Sequence, residues 1–538
     1  MATTPTNEQI ADRLAALSAL LELEGASPFS ARAYRRAAET IRSLPVSAAE
    51  LVGSGRARDL RGIGPGIETR LRELVETGEL QELVELEREL RPELVGLGRL
   101  LGIGTRRMLE IGRALDVTTV DDLRAAAVEG RLRSVRGIGA ATEARILAAL
   151  AAAPRARRGL TLNRARDLTE TLAGALGGHA AGDPRRFCEL SYDLAIVRAS
   201  RDPTRVLDAF ERHPLVVALV ERGDERAVGA TVEGVPVRLV TCPPERLGTE
   251  LVRATGSEEY VAGLGPLPDA ATEEGVFERL GLAWRPPELR EAPAPPLEPS
   301  LVGADDLRGD LHVHSDWSDG KATIEEMARA ARDLGHEYLA ICDHTPSVRV
   351  VPGLGPEDVR RQAEEIARVD ELLAPFRVLR GIECDVLPDG ALDLPDDVLR
   401  ELEWVQISLH AGQRRPREEL TRAVTEALRN PHVGALSHPK GRILNRRPEN
   451  ALDLDEVFRV AVEHGVALEI NGLPDRLDLS SAHAAEALAA GVDLVLSSDA
   501  HSTRGLGTIA LALGTARRAA CPAGRVVNAR PVDWVRRP

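Results

Sequence analysis

Lysine is almost missing from this chain of 538 residues: only Lys321 and Lys440 occur, and nearly all positive charge is arginine. The first 300 or so residues hold none, which excludes Schiff-base chemistry there, because a guanidinium stays protonated and is not nucleophilic. Cysteine is scarce as well. Cys188, Cys242, Cys342, Cys384 and Cys521 stand singly, with no CxxC pair, and so argue against a disulfide framework or a zinc ribbon. No apolar run reaches the ~18 residues of a membrane span. The start, MATTPTNEQIADRL, lacks the basic and then apolar stretch of a secretion signal. The expectation is a cytoplasmic, monomeric protein without a membrane partner. Histidine is absent where one might first look: ten of the twelve lie beyond residue 308, so a histidine-based site belongs there.

A chain of this length exceeds one hydrophobic core and should form several domains. Its net charge of −15 is unfavourable for nucleic-acid binding as a sum, but a sum hides where the charges stand. Residues 1 to about 157 carry apolar side chains at three- and four-residue spacing and read as helices throughout. One pattern recurs in them: LRGIGPGIETRL at 60–71, LLGIGTRRMLEI at 100–111 and VRGIGAATEARI at 135–146. Each is a Gly-Ile-Gly turn opening a helix, a helix-hairpin-helix candidate. Gly62, Gly64, Gly102, Gly104, Gly137 and Gly139 would let a DNA phosphate approach, and amides at the next helix start would donate to it. Arg61, Arg106, Arg107 and Arg136 lie beside the turns.

From about 159 the texture changes. CELSYDLAIVRA and RAVGATVEGVPVRLVTCP alternate like strands, with a turn at Glu233–Gly234, among helices: a small α+β domain to about 290. PPELREAPAPPLEPS at 286–300 reads as a Pro-rich linker. After 308, seven short apolar strands alternate with helices, which predicts a parallel (β/α) barrel with its site at the strands' C-terminal rim. There stand His312, His314, Asp319, Asp343, His344, Glu383, His410, His438, Asp499 and His501. Setting Asp343 aside as a residue that orients others, nine ligand types remain. One tetrahedral ion takes four, so nine suit two or three divalent ions sharing a carboxylate. Such ions activate water and stabilise charge on a phosphate, which predicts hydrolysis of a phosphate ester. His336, His432, His464 and His483 sit in helices or before strands and read as ordinary histidines.

DLHVHSDWSDG, AICDH, GIECD, SLHAG, SHPKGR and SDAHS resemble the polymerase-and-histidinol-phosphatase (PHP) domain, a distorted seven-stranded barrel. The resemblance implies three metals. His312, His314, Glu383 and Asp499 would hold one; Glu383, His410 and His438 a second; Asp319, His344 and His501 a third. Mn²⁺, Zn²⁺ or Fe²⁺ would serve. Lys440 and Arg442 are either phosphate contacts or solvated loop charges. ASPFSARAYRRAAETIRSLP, the three hairpins, GDPRRF, LGLAWRPPELRE and the barrel together resemble the bacterial family X DNA polymerases. That implies a multidomain chain: a helical lyase-like domain (1–88), helical fingers (89–157), a nucleotidyltransferase-like palm and thumb (158–290), a linker (291–307), the PHP barrel (308–525) and a tail (526–538). It also implies sequence-independent binding of DNA ends or gaps, and a 3′→5′ exonuclease in repair.

The palm departs from that family's pattern. Three aspartates should hold two Mg²⁺ ions, but Asp193 is followed at the second position by Ala195, and the third position carries Arg238. Asp183 replaces a phosphate-binding serine, and the lyase lysine would fall near Gly66 or Arg70. The expectation is a palm without templated synthesis, with Arg185 and Arg186 holding DNA phosphates or standing solvated. An active gap-filling polymerase would need Glu189 or Glu233 in the missing role. A phosphatase of small molecules, similar to histidinol-phosphate phosphatase, and a non-catalytic DNA-binding factor are the other readings.

Overall fold

The computed structural model describes residues 5–535 apart from 6, 25–27, 43–46, 61, 153–157, 296, 299 and 350. It forms two compact units. The first comprises 1–159, 168–180 and 192–254; the second comprises 160–167, 181–191 and 255–538. Among the described residues no helix is long and apolar enough to cross a membrane.

In the first unit, helices pack around two apolar cores. One gathers Leu14, Leu17, Ile41, Leu71 and Leu74, the other Leu94, Met108, Ile111 and Leu123. The three Gly-Ile-Gly turns share one build. Gly62, Gly102 and Gly137 take φ of +87°, +67° and +85°, a region that side chains with a Cβ disfavour. The isoleucines Ile63, Ile103 and Ile138 turn inward and are 5–6% exposed. Gly64, Gly104 and Gly139 then cap the helices Pro65–Thr77, Thr105–Leu115 and Ala140–Ala151. One detail differs from the expectation of a helix before every turn. Short 3₁₀ segments, Ala57–Asp59 and Arg131–Ser134, lead into the first and third turns, and only the second directly follows an α-helix, Pro92–Leu101. The tighter 3₁₀ winding reverses the chain within a few residues. Arg61 lies outside the described residues.

This unit also contains a mixed sheet. Leu194–Ala199 runs parallel to Pro236–Cys242, which pairs antiparallel with Arg226–Ala230, and that strand with Ala218–Arg222. The expected turn at Gly234 has φ +77°, and a Cβ there would stand 2.4 Å from Cβ of Arg99. Only glycine allows the hairpin to approach the helix Pro92–Leu101 this closely.

The second unit is built on seven parallel strands in chain order: Gly309–Val313, Tyr338–Ile341, Arg377–Asp385, Trp404–Ser408, Ala435–Leu436, Ala467–Asn471 and Leu494–Ser497. A bridge from Val313 to Ala500 links the first strand to the segment after the last, so the barrel is nearly closed. The strands are buried along their length, apart from Arg377 and Arg380 of the third, as parallel strands covered on both faces are. Two of the helices between them start on side-chain caps: Thr323, with Glu326, ahead of Ile324–Asp333 and Ser480 ahead of Ser481–Ala490.

Two expected boundaries need correcting. The palm does not stand as one compact unit, since 160–167, 181–191 and 255–290 belong with the barrel. Nor is the opening of the Pro-rich segment a free linker. Arg290 is fully buried, donates to the Glu273 carboxylate and, through Nε, to the Arg285 carbonyl at 2.9 Å, while Glu288 pairs with Arg517 at 2.8 Å. A guanidinium enters an interior only with a carboxylate and carbonyls to meet it, and such a set anchors the segment.

Candidate active site

Each barrel strand places alternate side chains on one face, and this simple period assembles the site. His312 and His314 share a face on the first strand, Glu383 and Asp385 on the third, Gln406, Ser408 and His410 on and just past the fourth, Glu469 and Asn471 on the sixth. Donor atoms of His314, Asp319, His344 and His501 all lie within 4.8 Å of one another. The same holds for His312, His314 and Asp499, and for His344, Glu383 and His410. His438 adds Nε2 at 2.9 Å from Glu383 Oε1. All nine expected ligand residues thus come together, whereas His336, His432, His464 and His483 join none of these groups.

Glu383 sits at the middle. Its Oε1 faces His438 and His410 (3.5 Å), and its Oε2 faces His344 (2.9 Å), His312 (3.5 Å) and His314 (3.7 Å). Burial opposes its charge, yet the surrounding imidazoles, led by His410, hold its pKa well below the carboxylate range. Burial likewise resists charge on Asp499, and His312 and His314 outweigh it. Burial, reinforced by His344 and His501, presses the His314 pKa down to about 3, so this ring is neutral.

The donor chemistry fits divalent cations. His312 Nδ1 lies 2.7 Å from Glu469 Oε1, an acceptor for a proton on that nitrogen, and Nε2 lies 3.1 Å from His314 Nε2. His410 is held through Nδ1 by Asp385 at 3.2 Å, and His501 Nδ1 donates to the Asp499 carbonyl at 2.8 Å. Among the described residues, the buried atoms Nδ1 of His314, His344 and His438 and Oδ1 of Asp499 find no hydrogen-bond partner. Buried polar atoms without partners are costly, and lone pairs converging within ligand reach are satisfied together by a cation.

The structure adds a layer that the sequence reading passed over. Glu469 is fully buried and accepts from His312, Gln406 (2.7 Å), Ser437 Oγ (2.9 Å), the His438 amide (2.7 Å) and Ser497. Asp385 does the same for His410, and Asn471 donates to Asp499 at 2.9 Å. The two-residue period that singled out His312 and His314 also marks Asp385, Glu469 and Asn471. Asp343 receives Ser315 N (2.8 Å), Ser315 Oγ (2.5 Å), Gln362 Nε2 (2.6 Å) and Ser318, and burial raises its pKa. It ties down the loop between His314 and Asp319.

Lys440 and Arg442 are neither solvated nor turned to a phosphate. Both are buried: Lys440 Nζ donates to the carbonyls of Asn450 (2.8 Å) and Leu452 (3.2 Å), and Arg442 to those of Arg476 (3.0 Å) and Leu477. Arg185 and Arg186 also depart from expectation. Arg185 grips Glu273 and Thr255, while Arg186 is buried against Glu291 (2.8 Å) and Asp183 (2.7 Å). Glu273 and Glu291, distant in sequence, and the nearby Asp183 pair with these cations.

In the mixed sheet of the first unit, Ala195 and Arg238 are direct cross-strand neighbours. The Arg238 guanidinium grips both oxygens of Asp193, with Nε at 3.2 Å from Oδ1. Glu189, one of two acidic stand-ins, pairs instead with Arg442 at 2.7 Å. The second and third hairpins of that unit border a cleft of about 920 Å³ lined by Gly102, Gly104, Arg106, Arg107, Arg136 and Arg145. Space beyond Gly62, Gly64, Gly104 and Gly139 is open, and no side chain caps the helices that follow them, so their first amides face outward.

A nearly closed seven-stranded parallel barrel with converging imidazoles and carboxylates defines a metal-dependent hydrolase of the PHP type. Residues 310–472 match the PHP domain, 5–80 a helix-hairpin-helix domain and 94–152 a SAM-like helix-hairpin-helix tandem. The chain is 31% identical over 558 aligned positions to the DNA polymerase/3′-5′ exonuclease PolX of Bacillus subtilis (strain 168), covering 97% of each. It is also 34% identical to a probable phosphatase of Acetivibrio thermocellus over 30% of this chain and 64% of that one. A probable phosphatase of Thermoanaerobacter sp. (strain X514) is 29% identical over 41% of this chain and 89% of its own. The chain belongs to the bacterial family X DNA polymerases that carry a C-terminal PHP domain.

Proposed function

We propose that this protein is a DNA-directed phosphoesterase, a 3′→5′ exonuclease acting in DNA repair from the cytoplasm, and that its palm carries out no synthesis. The observation that carries the first half is Glu383 offering one oxygen to His410 and His438 and the other to His312, His314 and His344. Three divalent ions, Mn²⁺, Zn²⁺ or Fe²⁺, would be held by His312, His314, Glu383 and Asp499, by Glu383, His410 and His438, and by Asp319, His344 and His501. Such ions supply Lewis acidity, which lowers the pKa of water and stabilises charge on a phosphoryl oxygen. The protein's own part is to hold the ligands. Glu469 and Asp385 fix the tautomers of His312 and His410, and Asp343 fixes the loop that carries Asp319.

The palm half rests on the Asp193–Arg238 ion pair. A guanidinium already occupies the carboxylate that would hold Mg²⁺, and a cation there repels a second one. The hairpins would hold the DNA backbone through outward amides and through Arg106, Arg107, Arg136 and Arg145, without reading bases. In this reading the domain division of the family persists as ancestry, 158–290 being a retained scaffold.

The test incubates the purified chain and Mn²⁺ with end-labelled single-stranded and gapped DNA, beside His344→Ala, and runs primer extension with dNTPs in parallel. The expected result is shortening from the 3′ end by the wild type alone, with no extension. Equal shortening by His344→Ala refutes the exonuclease, and dNTP incorporation refutes the inert palm. The likeness to probable phosphatases favours one second reading, a phosphatase of small monoesters, which predicts turnover of monoesters but not of DNA.

A further inference from the structure

The two histidines that face Oε1 of Glu383, His410 and His438, stand in different loops, and one side chain joins those loops. The ring centroids lie 5.3 Å apart. His438 has φ +25°, a backbone conformation that persists only where neighbours enforce it. Its amide donates to Glu469 at 2.7 Å, and its carbonyl accepts the Gly441 amide at 2.9 Å. The next carbonyl along the chain, that of Pro439, accepts Nδ2 of Asn450 at 2.9 Å.

Asn450 is buried and uses every hydrogen-bonding group it has. Its amide donates to the Lys440 carbonyl at 2.9 Å, and its own carbonyl accepts Lys440 Nζ at 2.8 Å. Oδ1 accepts the Leu452 amide at 3.1 Å. Nδ2 spends its second proton on Gln413 Oε1 at 2.9 Å. Gln413 completes the span, because its Nε2 donates to the carbonyl of Leu409, the residue before His410. A Cβ on Gly441 would collide with the Gln413 side-chain amide, and φ there is +54°, so glycine leaves room for the crossing. The segment is closed behind Asn450 as well. Lys440 Nζ also donates to the Leu452 carbonyl at 3.2 Å, and the Asp453 amide donates to Thr421 Oγ1 at 3.1 Å, on the helix Arg417–Leu428. A continuous chain of hydrogen bonds therefore runs from the residue before His410, through Gln413 and Asn450, to the residue after His438. Metal–ligand distances tolerate only ~0.2 Å, so whatever fixes the spacing of two imidazoles about one carboxylate oxygen fixes how well an ion fits there.

We propose that Asn450 is a positioning residue for the subsite of Glu383, His410 and His438. Through the Pro439 carbonyl and Gln413 it sets the spacing of the two rings, and so the affinity of that subsite for a divalent cation. The proposal rests on the metal-dependent phosphoesterase reading above. Its test titrates Co²⁺ into the metal-free full-length chain and follows the visible bands of the ion, which report its coordination geometry, with thermal unfolding of the same metal-free samples. Asn450→Asp keeps the acceptor for Leu452 and loses both Nδ2 donors. It should weaken one class of bound Co²⁺ about 10–100-fold, the range for outer partners of ligands, and shift the bands of that class, while the remaining ions bind as in the wild type. Gln413→Ala cuts the same span at its half-buried end and should weaken the same class, the double variant being no weaker than Asn450→Asp. Unchanged Co²⁺ binding in Asn450→Asp, or in Gln413→Ala should the first variant not fold, overturns the proposal. So does a loss spread evenly over all bound ions together with a lowered unfolding temperature, the signature of a general structural role. A wild type that binds Co²⁺ but hydrolyses no ester sinks the phosphoesterase reading instead.

Discussion

The barrel and the palm sheet each bring acidic side chains to strand ends, and they reach opposite electrostatic outcomes. In the barrel, Glu383 and Asp499 meet neutral-capable imidazoles whose far nitrogens are tied to Glu469, Asp385 and a carbonyl, so lone pairs converge. In the palm sheet, Asp193 meets Arg238, and the position beside it is the methyl of Ala195. What separates a metal centre from an ion pair is the neighbour: an imidazole can give a lone pair, whereas a guanidinium has none to give.

Glu383→Ala breaks the comparison hardest. Outer partners of ligands are worth ~10–100-fold, so losing the shared carboxylate should lower hydrolysis by more than ~100-fold and strip metal, read by elemental analysis. A variant that keeps both would show the cluster to be inert. Glu469→Gln should cost ~10–100-fold in metal affinity, because His312 loses the acceptor that sets its tautomer. Titration with a fluorescent chelator measures it, and wild-type affinity would make Glu469 merely structural.

On the other side, charge reversal at Arg106, Arg107 and Arg136 should weaken DNA binding and flatten its salt dependence, by about one unit of log–log slope for each phosphate no longer neutralised. An unchanged slope would remove the cleft from the DNA path. Arg238→Ala should leave thermal stability within about 1 kcal/mol, the ceiling for a partly exposed ion pair. A much larger loss would mean that the palm sheet depends on that pair. The smallest effect concerns Asp122, whose carboxylate accepts the Thr119 amide in the capping box that opens the helix Val120–Val128. The Thr119 hydroxyl and nearby amides lower its pKa to about 2 from 3.8. A depressed folded-state pKa adds stability above 3.8 that is lost as pH falls toward 2, and Asp122→Asn should flatten acid unfolding in that window.

The cluster of nine expected ligand residues was legible because strand alternation is a local property: His312 and His314 share a face whatever else the chain does. The hairpins were legible for the same reason, Ile63, Ile103 and Ile138 turning inward between glycines. Lys440, Arg442 and Arg186 were not. Each was read as a phosphate contact or a solvated charge, and each is met by protein groups instead: Lys440 by the Asn450 and Leu452 carbonyls, Arg442 by Glu189 and the Arg476 and Leu477 carbonyls, Arg186 by Glu291 and Asp183.

Local chemistry in the sequence was enough to determine that this protein has a barrel rim of imidazoles and carboxylates and a palm short of two aspartates. Tertiary structure alone decided which charges remain open to a ligand. That choice depends on carboxylates and carbonyls delivered from distant segments, such as Glu189 to Arg442, and no spacing rule reaches across that separation.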